Sequence, residues 1–200
     1  MTPTAADASL AIGFRVKSGY AIAIVIGGRA KAPAAVARHI VELSDPDVAS
    51  TKQPYHSGVG EAEEDQREIA RRVKIVTRVA AKSVAALLDS CDVPASRIRA
   101  ALVVGSVIDP ASVGNPHIRA HANEGRLFRT VLEDALTAHR VKSSVVVEKQ
   151  LAAAARRQLA CSEAEIKRTL AGFGKILGSP WRTEEKAAAT AGWMALHPEP

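Results

Sequence analysis

The sequence predicts one α/β domain in which an antiparallel three-stranded meander is continued by parallel strands, with helices on both faces of the sheet. Three observations predict it. Two β-rich runs meet at a glycine turn near the start, a long amphipathic helix follows, and a short, wholly apolar strand then opens an alternation of helices and strands. With 200 residues, 47% hydrophobic and 24% charged, the chain can bury one core. Residues 10–196 are expected to form the domain, 1–9 a flexible start and 197–200 a tail.

Residues 10–28, LAIGFRVKSGYAIAIVIGG, form a hairpin, because Gly19 tolerates the positive φ that a tight turn after Lys17 and Ser18 requires. Residues 34–43 alternate as a third strand. Asp45-Pro46, Gln53-Pro54 and Ser57-Gly58 make residues 44–60 a loop, the segment expected to be most mobile. In residues 61–88 Ile69, Val73, Val76, Ala80, Val84 and Leu87 recur at helical steps, with acids early and bases late. Arg67, Arg71, Lys74, Arg78 and Lys82 share another side of that helix, as a solvated stripe or a phosphate-binding one.

Residues 98–106, IRAALVVGS, read as a buried central strand, and the loop at its carboxyl end, 107–115, lies where open α/β sheets bind ligands. Asn115 caps a helix over 116–139 with Pro116 in its first turn. Residues 143–148 are another strand. Ser162 and Glu165 have capping-box spacing for a helix over 162–173, interrupted by Gly172, Gly174 and Gly178. Thr183 caps a last, alanine-rich helix reaching Leu196.

Lysine and arginine number 27 against 21 acids, a formal charge of +6, which suits a polyanion. Cys91 and Cys161 form neither a disulfide framework nor a zinc pattern. Residues 1–8 have no basic and apolar leader and no segment is long enough to span a membrane, so a cytoplasmic protein is expected. A Gly-x-Ser-x-Gly nucleophile turn and a phosphate-cradling Gly-rich loop with Lys-Ser or Lys-Thr are both absent from the sequence.

The element order resembles the ribonuclease H-like superfamily, and within it the RuvC-like Holliday-junction resolvases. The resemblance spans nearly the whole chain: IGFRVKSGYAIAIV for the opening hairpin, RIRAALVVGS for the fourth strand, SSVVVEKQ for the fifth, EIKRTLAGFGK for the lysine- and glycine-bearing segment, and EEKAAATAGWMAL for the final helix. It implies a site in which carboxylates from the first strand, the fourth strand and the last helix hold two divalent cations. This chain departs from that pattern. The first-strand acid falls near Arg15, with Lys17 beside it, and the fourth-strand acid near Gly105 or Ser106. The last helix retains Glu184 and Glu185, and Glu148 ends the fifth strand, so these three are the candidate catalytic carboxylates. Wider relatives, the sugar kinases and actin-like ATPases, hold phosphates on a hairpin turn like Ser18-Gly19, but the acid they use is missing here.

Two constellations follow. Arg15, Lys17, Ser18 and Ser106, joined by Arg119 and Arg126 two turns apart on the helix after the central strand, make a candidate anion-binding centre. In GNPHIRAHANEG, His117, His121 and Glu124 share a helical face within reach of Asp109, a candidate first shell for a divalent metal. The leading functional expectation is a divergent, nuclease-inactive domain that binds nucleic acid or a phosphorylated ligand. The alternatives are a metal-dependent hydrolase or nuclease built on the His/Glu set, and a non-catalytic adaptor that forms a homodimer through the closing helix around Trp193.

Overall fold

A computed structural model describes residues 9–196, so most of the expected flexible start and all of the tail lie outside the described residues. Five strands form one mixed sheet, β1 (Leu10–Lys17), β2 (Tyr20–Arg29), β3 (Ala32–Glu42), β6 (Ile98–Val104) and β7 (Lys142–Val147), in the order β3-β2-β1-β6-β7. A two-stranded hairpin, β4 (His56–Gly58) with β5 (Glu61–Ala62), stands apart. The helices are α1 (Gln66–Asp89), α2 (Pro116–Ala138), α3 (Glu148–Leu159), α4 (Glu163–Leu177) and α5 (Thr183–Ala195). None of the described helices is long and apolar enough to cross a membrane.

The β1-β2-β3 meander is antiparallel, and β1-β6-β7 is parallel, with Leu10 opposite Ile98 and Arg15 opposite Val103. Strand alternation sends β1 side chains to opposite faces. Ile12, Phe14 and Val16 join the core formed with α1 and α2, whereas Ala11 joins the core under α3, α4 and α5. Gly13 lies on the second face because nothing larger fits: a Cβ there would come within 1.8 Å of the Ala188 carbonyl oxygen on α5.

Several elements differ from expectation. The α1 helix begins at Gln66 rather than at residue 61, because the Asp65 side chain accepts from the amides of Arg67 and Glu68 and ends the preceding hairpin. Residues 44–60, read as loop, hold the strand β4 and an internally bonded turn in which Thr51 is fully buried and its Oγ1 donates to Val48 O at 2.6 Å and accepts from Asp45 N at 2.9 Å. Glu148 is the first residue of a helix, α3, in a stretch read only as a strand end. Gly172 and Gly174 do not interrupt α4, and Gly174 instead gives the Trp181 ring room to pack, since a Cβ would come within 2.5 Å of that ring.

The closing helix is not available as a dimer face. Helix α5 lies against the sheet with Ala188, Ala189 and Ala191 fully buried, and the Trp193 indole N–H donates to Ala30 O at 2.9 Å. Its cap is also one residue earlier than Thr183: the Glu185 carboxylate accepts from the Arg182 amide at 2.8 Å.

Candidate functional site

The carboxyl ends of β1, β6 and β7 bring Arg15, Ser106 and Glu148 toward one end of the sheet. Arg15 is 7% exposed, an unusual fate for a guanidinium, which is seldom buried without a partner. Its Nη2 donates to Glu148 Oε2 at 2.6 Å and its Nη1 to Val16 O at 3.0 Å, while its Nε is buried with no partner. Glu148 is placed for this contact because the chain passes from β7 straight into α3. Lys17 Nζ lies 3.8 Å from Glu184 Oε1 at the start of α5. Ser18 and Ser106 are exposed. Glu185 is buried on its capping bond.

Carboxylates that hold divalent cations must offer free oxygen lone pairs. Here Glu148 is occupied by a guanidinium, Glu184 faces an ammonium, and the first-strand position is itself a buried cation. These residues do not fit a pair of divalent cations at this end of the sheet. The geometry is that of an ion-paired centre.

A second cluster forms around α2 and the β4 hairpin. His117 and His121 are four residues apart on α2, so they lie one above the other. His56, at the start of β4, completes a group of three imidazoles whose ring centroids are 4.4 to 5.2 Å apart. His56 Nε2 is 3.3 Å from His117 Nδ1. His56 Nδ1 is 2.7 Å from Glu124 Oε1, to which the Tyr55 amide also donates at 3.4 Å, and His121 Nδ1 is 3.5 Å from Glu124 Oε2. Glu124 is only 1% exposed, and its Oε2 makes no hydrogen bond. Burial lifts the neighbouring Tyr55 phenol above its ordinary range, with Arg126 pulling against that shift.

The hairpin that carries His56 is fastened to α1 by Arg72. This buried guanidinium donates to His56 O at 2.8 Å, to Pro54 O at 3.3 Å, to Glu63 at 2.9 Å and to Glu68 at 2.8 Å. Sequence periodicity placed neither Arg72 nor His56. The signal available for Arg72 was its step of three from Ile69 and four from Val76, a cation on the apolar face. For His56 the sequence carried no signal, since a loop residue has no periodic neighbours.

The other candidate residues go elsewhere. Asp109 caps a short turn through the Ala111 amide at 3.1 Å and lies 3.7 Å from Arg126, and it does not join the three histidines. Arg119 donates to Val113 O at 2.8 Å and Gly114 O at 2.9 Å, which braces the loop leading into α2. Arg15, Arg119 and Arg126 thus each have their own partners and share no anion pocket. The five bases of the α1 stripe are exposed, with Arg71 held by Glu68 at 2.7 Å and Arg78 lying 3.8 Å from Asp45.

An open groove of about 780 Å³ lies at the β7 edge, between β7, α3 and the end of α5. Arg99, Lys142, Lys149 and Arg157 line it together with Ser143, Ser144 and Gln150, and none of the described lining residues is a carboxylate.

The sheet order, the meander joined to parallel strands and the helices on both faces define a ribonuclease H-like fold. Among solved structures the chain is similar to RuvC of Thermus thermophilus, with a TM-score of 0.52 and 8% identity over 92% of each chain. It is likewise similar to Thermus thermophilus RuvC in complex with a Holliday junction substrate, with a TM-score of 0.54, 10% identity, and 94% of this chain and 93% of that chain covered. No protein-family profile matches the chain, and no curated protein sequence does. At such identity the likeness is one of fold.

Proposed function

We propose that this chain is a nucleic-acid-binding ribonuclease H-like domain that lacks two-metal nuclease chemistry. The observation that carries the reading is the groove at the β7 edge, which Arg99, Lys142 and Lys149 line side by side with serine and glutamine side chains. A groove lined by one sign of charge attracts phosphates, and each phosphate neutralised releases counterions, which drives binding at low salt. Serine and glutamine side chains beside the bases supply donors to phosphate oxygens. The formal charge of +6 is in keeping with this, as is a fold neighbour solved with a Holliday junction. The contacts of the three candidate carboxylates support the absence of nuclease chemistry: Glu148 Oε2 accepts from Arg15, Glu184 lies 3.8 Å from Lys17, and Glu185 accepts from the Arg182 amide.

Fluorescence anisotropy with single-stranded, duplex and four-way-junction DNA across a salt series tests this. Binding is expected at low salt, with log K falling linearly against log[salt]. Replacing Arg99, Lys142 and Lys149 together by serine should lower that slope by about 2 to 3. No cleavage is expected with magnesium or manganese. Equal binding by the triple variant, or metal-dependent cutting lost on Glu148→Gln, would overturn the reading.

A further inference from the structure

The cluster of His56, His117 and His121 shares no residue with the ion-paired centre or with the basic groove that an anion-binding domain would use. Three imidazoles converge from two elements distant in sequence. Their nearest ligand nitrogens all lie within 4.8 Å of one another. A buried carboxylate stands behind them. Burying an ionised carboxylate costs several kcal/mol unless a cation or a full set of donors compensates it. Glu124 has imidazoles and one long amide contact, and one of its oxygens has no hydrogen bond.

We infer that His56, His117 and His121 bind a first-row divalent transition ion of the zinc class, with Glu124 as the carboxylate that orients His56. Around a tetrahedral ion with bonds of about 2.0–2.1 Å, neighbouring ligand nitrogens stand about 3.3–3.4 Å apart. The pair His56 Nε2 and His117 Nδ1, at 3.3 Å, already has that spacing. The His56 Nδ1–H donates to Glu124, which sets the tautomer and turns Nε2 toward the cluster, the arrangement that metal-binding histidines share. His121, whose side chain is half exposed, completes the set by a small side-chain rotation. All three donors are nitrogen, which selects zinc, cobalt or nickel over magnesium or calcium. Three protein ligands leave a fourth position for water or a ligand oxygen on the exposed side of His121. The Arg72 bonds to Pro54 O and His56 O hold the hairpin ligand in place before any ion arrives.

This inference is independent of the nucleic-acid reading, since the two sites share no residue. Full-length protein without a histidine tag, stripped with chelator, is titrated with Zn²⁺ by calorimetry and with Co²⁺ by visible absorption. One ion per chain, a rise in the thermal midpoint and the intense bands of tetrahedral cobalt are expected. The His117→Ala/His121→Ala variant should lose about 100-fold or more in affinity, and Glu124→Gln about 10- to 100-fold, in line with loss of an orienting carboxylate. Should the double variant fold poorly, His121→Ala alone, at the most exposed position, must still weaken binding. Failure of Zn²⁺ and Co²⁺ to bind stoichiometrically, or unchanged affinity in His121→Ala, overturns the site, while Mg²⁺ binding in place of Zn²⁺ overturns the metal class.

Discussion

The guanidinium of Arg15 and the carboxylate of Glu148, separated by 133 residues in sequence, meet at 2.6 Å where β1 ends and α3 begins. The two partners are unequally buried: the Arg15 side chain is 8% exposed and that of Glu148 is 42% exposed. Removing either one therefore has a different consequence. Glu148→Gln leaves a buried cation facing a neutral amide and should cost about 2–4 kcal/mol. Arg15→Met fills similar volume with apolar atoms and leaves Glu148 free to hydrate, so it should cost under about 1.5 kcal/mol. Urea unfolding of the two variants checks the ordering, and an equal or reversed cost would show that the pair is no buried anchor.

Close approach of α5 to the sheet rests on Gly13. A methyl group at that position would strike the Ala188 carbonyl oxygen and the Gly192 amide, both backbone atoms that cannot step aside. Gly13→Ala should lower stability by about 3 kcal/mol or more, a fall of roughly 6–12 °C in the thermal midpoint for a domain of this size. Gly125 makes the control, because it lies on α2 with open space around it. Gly125→Ala should raise stability by about 0.5–1 kcal/mol through helix propensity.

The acid limb of stability should report on Glu68. Hydrogen bonds from Arg71 and then Arg72 lower its carboxyl from an ordinary 4.5 to about 2. A carboxyl whose folded value lies below its unfolded one contributes stability above about pH 4.5, and that contribution is lost as pH falls toward about 2. Glu68→Gln should therefore lower the thermal midpoint at neutral pH, flatten its decline across that window, and converge with the unsubstituted protein near pH 2. Thermal melts at stepped pH check this, and the difference should shrink with added salt because Glu68 and Arg71 face solvent.

What could be read directly from the sequence were the parts of the fold that local periodicity and capping determine. The meander turns at Gly19, whose φ is +85°. Helix α2 starts behind Asn115, whose side chain accepts from the Ile118 amide, and α4 starts on the Ser162 and Glu165 box. The parallel pairing of β1 with β6 is instead what the resemblance to the ribonuclease H-like order implies, since strands so far apart in sequence are not joined by local periodicity. Helix α3 escaped although Leu151, Ala155 and Leu159 recur every four residues, since no turn residue separates it from β7 and Glu148 reads as a strand end.

The candidate sites were legible only in part, and for a physical reason. His117, His121 and Glu124 are neighbours on one helix, so their spacing alone put them on one face. His56 reaches them from the start of β4, 61 residues away from His117, and it is held there by a buried arginine that donates to the backbone carbonyls of Pro54 and His56. Arg15 was visible as a cation where an acid belonged, but whether it would stand in an anion pocket or be matched by Glu148 depended on how β7 enters α3. Residue type and spacing along one element are properties of the chain, and the sequence by itself determined them. Which charge neutralises which, and which loop delivers the third imidazole, depend on distances across the fold, and only the tertiary structure decided them.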